Sequence, residues 1–242
     1  MYDGALVGER NKIKGFNEVI SHERYADEDE VVLCLNYDGK FGLNNMNQYF
    51  QNANNQSRAY SWEEWTFKKG DRIIFTNSKR SSLLYNNLKG TIIDIELEER
   101  KIVFEVDVKT HLTEKQCKYE SFDYIRRTSD GTIIRIDVIS WDDELSEEDK
   151  IKTVIPFQLA YAVSIHKAQG LEYKSVKVVI PPNNAEKITH AIFYTAITRA
   201  KEKLKIFWSA ETMKTILKSF IDENTEHRTL PVIIQELNDK NN

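Results

Sequence analysis

Apolar residues fall along the chain in three regions of different rhythm. Val31–Leu35 is an unbroken apolar run, the pattern of a strand buried on both faces, and Ala5–Val7 is a shorter strand candidate. The glycine-bearing stretch Asn36–Gly42 follows. Leu43, Met46, Tyr49 and Phe50 then recur at three- and four-residue spacing, which predicts a helix, and the polar run Gln51–Ser57 reads as loop. From Thr66 to Trp141 the rhythm changes. Arg72–Thr76, Thr91–Ile95, Lys101–Val108 and Thr132–Ile139 are short, partly alternating and rich in β-branched residues, as strands should be. Lys69-Gly70-Asp71, Lys89-Gly90 and Asp130-Gly131 punctuate them as turns, and no long helix interrupts, so a small barrel is expected. Asp142–Asp149 is acidic and reads as a solvated linker or a short surface helix. Beyond it, Leu159–Ile165 is apolar apart from Ser164, and Val176–Ile180 is a strand ended by Pro181-Pro182. Ile188–Ala200 has helical spacing, Leu204–Trp208 is a strand, and Met213, Ile216, Leu217 and Phe220 mark a final helix. The expected fold class is α/β. Residues 1–65 and 142–242 form one domain, and 66–141 a β-barrel inserted within it.

Composition narrows the class. The 242 residues are 40% hydrophobic and 30% charged, the balance of a folded water-facing protein. No stretch reaches the ~20 apolar residues of a membrane span, and the start lacks a signal-peptide core, so no membrane partner is expected. Cys34 and Cys117 are the only cysteines, too few for a disulfide framework, and a reducing cytoplasm is the expected location. The net charge of −4 excludes a globally basic nucleic-acid coat, although residues 68–90 carry a local charge of +5. Five scattered histidines offer no paired spacing for a metal, and no Ser-His-Asp or Cys-His arrangement suggests itself.

Two segments carry candidate chemistry. Ala160–Tyr173 reads AYAVSIHKAQGLEY and leads into a strand. It offers a hydroxyl, an imidazole and an ammonium at a strand end, with Gly170 allowing close backbone approach. Phe193–Lys201 reads FYTAITRAK and leads into another strand. It sets Arg199 at the end of a helix, on the face shared by Ile192 and Ala196, where its helix can hold it rigidly.

In residue types, order and spacing these segments resemble the last two motifs of superfamily 1 DNA helicases, in the C-terminal, second RecA-like domain of the RecD-like and UvrD-like group. Residues 36–51 look like the strand–loop–helix that opens that domain, and Lys69–Ile74 with Asn86–Ile92 look like the SH3-like barrel carried inside it. The resemblance implies a RecA-like parallel sheet flanked by helices. It implies that Arg199 is catalytic and reaches the ATP γ-phosphate, with Gly170 and Glu172 also at the nucleotide. Ser164 and His166 match positions that contact the nucleic-acid backbone, and Lys167 stands beside them. Lys79 and Arg80 in the barrel loop are candidates for phosphate contact, and Tyr37 for stacking on a base.

The resemblance also implies ATP and Mg2+, single-stranded DNA as partner, and 5′→3′ travel, although no residue fixes a direction. A motor of this kind needs a G-x-x-x-x-G-K-[ST] phosphate loop and a magnesium-binding acidic motif. Gly39-Lys40 is followed by phenylalanine, and Asp27–Glu30 precedes a strand instead of ending one. The chain is therefore expected to be the C-terminal half of an ATP-dependent DNA helicase. Its N-terminal RecA-like domain would supply the phosphate loop and hold most of the Mg2+, and the chain alone would be inactive. A non-catalytic nucleic-acid-binding module and an RNA helicase of the same superfamily are the alternatives.

Overall fold

The computed structural model describes residues 29–37, 41–54, 57–76, 81–120, 122–181 and 187–220. The strand expected at Ala5–Val7 and residues 38–40 of the glycine-bearing stretch Asn36–Gly42 lie outside them. The chain divides into two compact units: Met1–Leu43 with Val163–Asn242, and Asn44–Ala162. Among the described residues no helix is long and apolar enough to cross a membrane.

The first unit holds a four-stranded sheet in the order β10-β1-β11-β12. Its strands are β1 (Glu30–Cys34), β10 (Ala162–Ser164), β11 (Tyr173–Val179) and β12 (Ala200–Phe207). β1 runs parallel to β11, with Val31 opposite Val176, and β11 runs parallel to β12, with Val178 opposite Ile206. Every residue of β1 is buried, as its apolar run requires. The buried ions at the centre are Lys177 and Glu30, which pair with each other across β1 and β11. β12 is an end strand, and Lys201–Lys205 are exposed on both of its faces. Four of those five residues are charged, which discourages pairing of this edge with another chain. Helix α4 (His190–Ile197) precedes β12, with Thr189 Oγ1 accepting from the Ile192 N–H at its start. Phe193 on α4 stacks on Trp208 at 5.7 Å, and helix α5, residues 210–220, brings Phe220 against Phe193.

The second unit opens on helix α1 (Leu43–Ala53), whose stripe at 43, 46, 47, 50 and 51 is buried. A hairpin follows: β2 (Ala59–Trp62) and β3 (Trp65–Lys68). Then comes an antiparallel sheet in the order β7-β8-β6-β5-β4-β9. Its strands are β4 (Arg72–Phe75), β5 (Lys89–Leu97), β6 (Lys101–Val108), β7 (Asp123–Arg127), β8 (Thr132–Ile139) and β9 (Phe157–Leu159). Two short helices interrupt them, α2 (Glu114–Tyr119) with a Thr113–Gln116 capping box, and α3 (Glu147–Lys152) in the acidic stretch. Phe157 lies at the centre of the core, with its ring 5.1–5.7 Å from those of Phe67, Phe75 and Phe104 in edge-to-face contacts. Of the four tryptophans expected in the core or at an interface, Trp62 and Trp208 are buried, whereas Trp65 and Trp141 are about half exposed.

This unit is wider than the 66–141 insert read from the sequence. The boundary at 65/66 falls within β3, and β9 pairs with β4 with Ile73 opposite Leu159. The apolar run Leu159–Ile165 is also divided between sheets, since β9 and β10 belong to different ones. At the division the Ala160 N–H donates to Arg72 O at 2.8 Å.

Asp71 fastens these outlying pieces. Its carboxylate is fully buried and accepts from Gln51 Nε2 at 2.6 Å, Lys68 N–H at 2.8 Å and Tyr161 O–H at 2.8 Å. It thereby joins α1, the β3–β4 turn and the chain leaving β9. Beside it, the Asn47 amide accepts from Ala162 N–H at 2.8 Å and donates to Ala162 O at 3.1 Å.

Burial raises the Asp71 pKa above the ordinary 3.8, against three hydrogen bonds that lower it. Folding therefore favours its protonated form. That contribution to stability is full below pH 3.8 and is lost as pH rises through the folded value. Asp71→Ala takes the acceptor from Tyr161 O–H and Lys68 N–H and one of two from Gln51 Nε2, which also donates to Thr66 O, and is expected to cost roughly 2–4 kcal/mol in urea unfolding at neutral pH. Asp71→Asn removes the titration, so its stability relative to wild type should improve as pH rises from 3.5 to 7. A wild type–Asn difference that does not vary with pH would overturn this account.

Candidate functional site

From Val163 onward both candidate segments lie in the first unit, and the structure spreads them along its sheet. The Ile165 N–H donates to Cys34 O at 3.1 Å, so the end of β10 lies beside the C-terminal end of β1. Tyr37 follows that end of β1 and is 50% exposed. Ser164, His166, Lys167 and Tyr37 thus gather toward one sheet end. Cys34 is opposite Val179, so Tyr173, the first residue of β11, is at the other end, about 20 Å away at 3.3 Å per residue. Gly170, Glu172 and Arg199 gather there. The turn at 165–170 connects the two groups.

The side chains in the first group differ in what they offer. Ser164 is buried, and its Oγ accepts from the Lys167 N–H at 3.2 Å, while its carbonyl accepts from the Ala168 N–H at 3.0 Å. In this state the hydroxyl oxygen caps the turn. His166 projects from the turn into solvent, and Lys167 is half-buried.

At the other end the two segments are tied together. The Tyr173 N–H donates to Arg199 O at 2.9 Å, joining the approaches to β11 and β12. The Arg199 guanidinium makes three further bonds: Nε to Thr195 O at 3.0 Å, Nη1 to Leu171 O at 3.1 Å and Nη2 to Thr198 Oγ1 at 3.0 Å. The Thr195 carbonyl belongs to the last turn of α4, where free carbonyls and the helix dipole favour a cation. Three of the five guanidinium N–H groups are engaged, which leaves two for an anion on a half-exposed side chain. Glu172 pairs with Lys201 at 3.0 Å, both more than half exposed, and a pair in that setting contributes little to stability. Gly170 is exposed with φ +82°, and a Cβ built on it meets nothing within 4 Å. Its conformation, and not its surroundings, calls for glycine.

Thr198, Lys201 and the Thr195 and Leu171 carbonyls were not singled out from the sequence. Carbonyls carry no residue-type signature, but a threonine directly before the candidate arginine was a visible hint. Among the described residues no group of three or more His, Cys, Asp or Glu side chains could hold a metal ion.

Lys79 and Arg80 lie outside the described residues, but the flanks of their loop do not. Phe75 N–H bonds to Leu88 O, and Ser82 Oγ donates to Glu120 Oε1 at 2.8 Å next to α2. These flanks lie at the end of the second unit where β5 begins and β6 finishes. Lys115, Lys118, Arg126 and Arg127 are exposed on that side, on α2 and β7, with Glu114, Glu120 and Asp130 among them. The opposite end of the same sheet carries an open cleft lined by Glu98, Glu99, Asp142 and Glu144 together with Arg100 and Lys101, which pair with Asp142 and Glu98.

Residues 159–206 match the UvrD-like helicase C-terminal domain family. The chain is 24% identical over 199 residues to the RecBCD enzyme subunit RecD of Buchnera aphidicola subsp. Schizaphis graminum, covering 79% of this chain and 27% of that protein. It is 26% identical over 211 residues to an uncharacterized protein of Methanocaldococcus jannaschii, covering 83% of this chain and 16% of the other. A solved structure of Pif1 helicase from Candida albicans aligns with a TM-score of 0.41 at 15% identity, covering 88% of this chain and 54% of that one. The chain thus spans about a quarter or less of the curated relatives named here.

Gly170→Ala forces an L side chain into the left-handed region without any clash. It is expected to cost about 1–2 kcal/mol, or roughly 2–8 °C in Tm at this chain length. Gly170→Asn should cost less. Thermal unfolding checks both, and an unchanged melt for the alanine variant would mean the turn relaxes to another conformation.

Proposed function

From a superfamily 1 helicase C-terminal segment of the RecD/UvrD-like group, recognised over residues 159–206, we propose that this chain is the second RecA-like half of an ATP-dependent DNA helicase. In this reading the second unit is the SH3-like insert and single-stranded DNA is the track. ATP and Mg2+ lie between this half and an N-terminal RecA-like domain in the cytoplasm. The observation that carries the reading is the fastening of the two motif segments by Arg199, which leaves its guanidinium with two N–H groups to spare.

The residues would divide the work as follows. Arg199 meets the γ-phosphoryl group. Its three protein acceptors fix its direction before the reaction, so little reorganisation is left when charge redistributes over the phosphoryl oxygens. Gly170 and Glu172 stand on the same approach to β11 and flank the nucleotide, with Lys201 holding the Glu172 carboxylate until then. The Arg199–Leu171 bond links the phosphate end to the turn that leads back to Ser164. A change in how Arg199 is held would therefore reach His166, Lys167 and Tyr37, the residues proposed to grip the strand. The Ser164 hydroxyl keeps that turn in shape and would touch the strand only if the turn opens. Mg2+ chemistry would be supplied mainly by the N-terminal domain. In the second unit, Lys79 and Arg80 would contact phosphates from the basic end of the sheet.

Three outcomes are expected. The chain alone should bind no ATP productively and show no turnover with or without single-stranded DNA in a steady-state assay. Turnover by the chain alone that Arg199→Ala abolishes would overturn the half-motor reading. In a protein that joins it to its phosphate-loop domain, Arg199→Ala should slow single-turnover hydrolysis ~10³–10⁵-fold, or roughly 4–7 kcal/mol. Nucleotide affinity should change little, and Arg199→Lys should not rescue because an ammonium lacks the planar fork. A loss below ~10-fold in a folded protein would favour a nucleic-acid-binding module. Replacing Lys79 and Arg80 by Ala should lower the salt dependence of strand binding by up to ~1.4 in log–log slope, at ~0.7 per phosphate contact. An unchanged slope would make them solvated surface.

A further inference from the structure

We propose that Thr198 is the positioning residue for Arg199: its hydroxyl, turned by the carbonyl end of α4, sets the direction in which the guanidinium points. The inference rests on the reading of Arg199 given above and adds to it the group that aims the arginine.

The argument begins with the single proton of a threonine hydroxyl. Thr198 Oγ1 lies 2.8 Å from Tyr194 O and 3.2 Å from Thr195 O, two acceptors of the last turn of α4. Neither carbonyl can donate, so the hydroxyl proton is committed to them. The lone pairs of Oγ1 are then left facing away from the helix, and Arg199 Nη2 donates to one at 3.0 Å. The hydroxyl is thus fixed as an acceptor toward the arginine before any ligand arrives.

The two carbonyl contacts alone do not define the guanidinium plane as well. Nε on Thr195 O and Nη1 on Leu171 O are bonds to two different segments. Nη2 is the third corner, and Thr198 is the acceptor assigned to it. Thr198 also caps α4, with its own N–H on Tyr194 O and Ala196 O, so its backbone is fixed to the same helix end. A methyl in place of the hydroxyl leaves the backbone cap intact and takes away only the third corner. Valine keeps the β-branched shape, and serine keeps the hydroxyl.

Two measurements test this. In the chain as it stands, NMR of the Arg199 guanidinium reports rotation about the Cζ–Nη2 bond, assigned by its loss in Arg199→Lys. Thr198→Val should speed that rotation by about fivefold, the equivalent of one hydrogen bond of ~1 kcal/mol, and Thr198→Ser should leave it unchanged. Equal rotation in wild type and the valine variant would overturn the proposal without touching the helicase reading. In the protein joined to its phosphate-loop domain, Thr198→Val should slow single-turnover hydrolysis about 10- to 100-fold at unchanged nucleotide affinity, and serine should restore it. The double variant with Arg199→Ala should be no slower than Arg199→Ala alone, because Thr198 acts only through the arginine. Additive losses would make Thr198 an independent structural residue and sink the proposal. A neutral Arg199→Ala would instead sink the reading of the site itself.

Discussion

One residue, Arg199, ties the candidate site together through both its main chain and its side chain. Its carbonyl accepts from Tyr173 N–H and its guanidinium donates to Leu171 O, so the lead-in to β12 holds the lead-in to β11 on both sides of Glu172. Parallel strands share no tight turn and rely on such contacts to set where each begins. Burial at the sheet centre then follows from the apolar runs of β1 and β11. Among the buried positions of β1 and β11, only the Glu30–Lys177 pair is charged. Placing two opposite charges on neighbouring strands is the condition under which either can be buried.

The amino-acid pattern makes some of this legible and hides the rest for definite reasons. The strands β1, β4, β5, β6, β8 and β11 are readable because apolar and β-branched runs stand between glycine or proline punctuation. The β2–β3 hairpin is not. Its turn is Glu63-Glu64, with Glu63 at φ +52°, and nothing in a glutamate pair announces a left-handed turn. Asn47 and Gln51 are hidden too. They occupy the buried stripe of α1, where polarity suggests solvent, and only their distant partners Ala162 and Asp71 explain them. The apolar run at 159–165 reads as one strand because periodicity cannot show that its halves belong to different sheets. At the site, Arg199 and Gly170 are legible through residue type and spacing, whereas the atoms that hold Arg199 are mostly carbonyls of residues chosen for other reasons.

Charge separates the two ends of the antiparallel unit. Exposed Lys115, Lys118, Arg126 and Arg127 stand at the end where β5 starts and β6 finishes, with Glu114, Glu120 and Asp130 among them, while the β5–β6 turn lies with Glu98, Glu99, Asp142 and Glu144 and with Arg100 and Lys101, which pair with Asp142 and Glu98. A net charge of −4 over the whole chain conceals this division. For a polyanion the two ends are unequal, since the first carries a small excess of cations and the second a small excess of carboxylates, felt at separations up to the Debye length of about 8 Å at physiological salt.

The double hydrogen bond between Asn47 and Ala162 has a consequence for how such a unit could come to be where it is. The amide imitates one rung of a β-ladder, and it joins residues near the first and last positions of the unit. Its entrance and exit are therefore held side by side by its own chemistry. A segment with clasped ends can be spliced into a tight connection of a host fold without prying the host apart, and lost again without leaving a gap to bridge. Asn47 thus gives residues 44–162 ends that close on themselves, so a graft of that stretch carries its own closure.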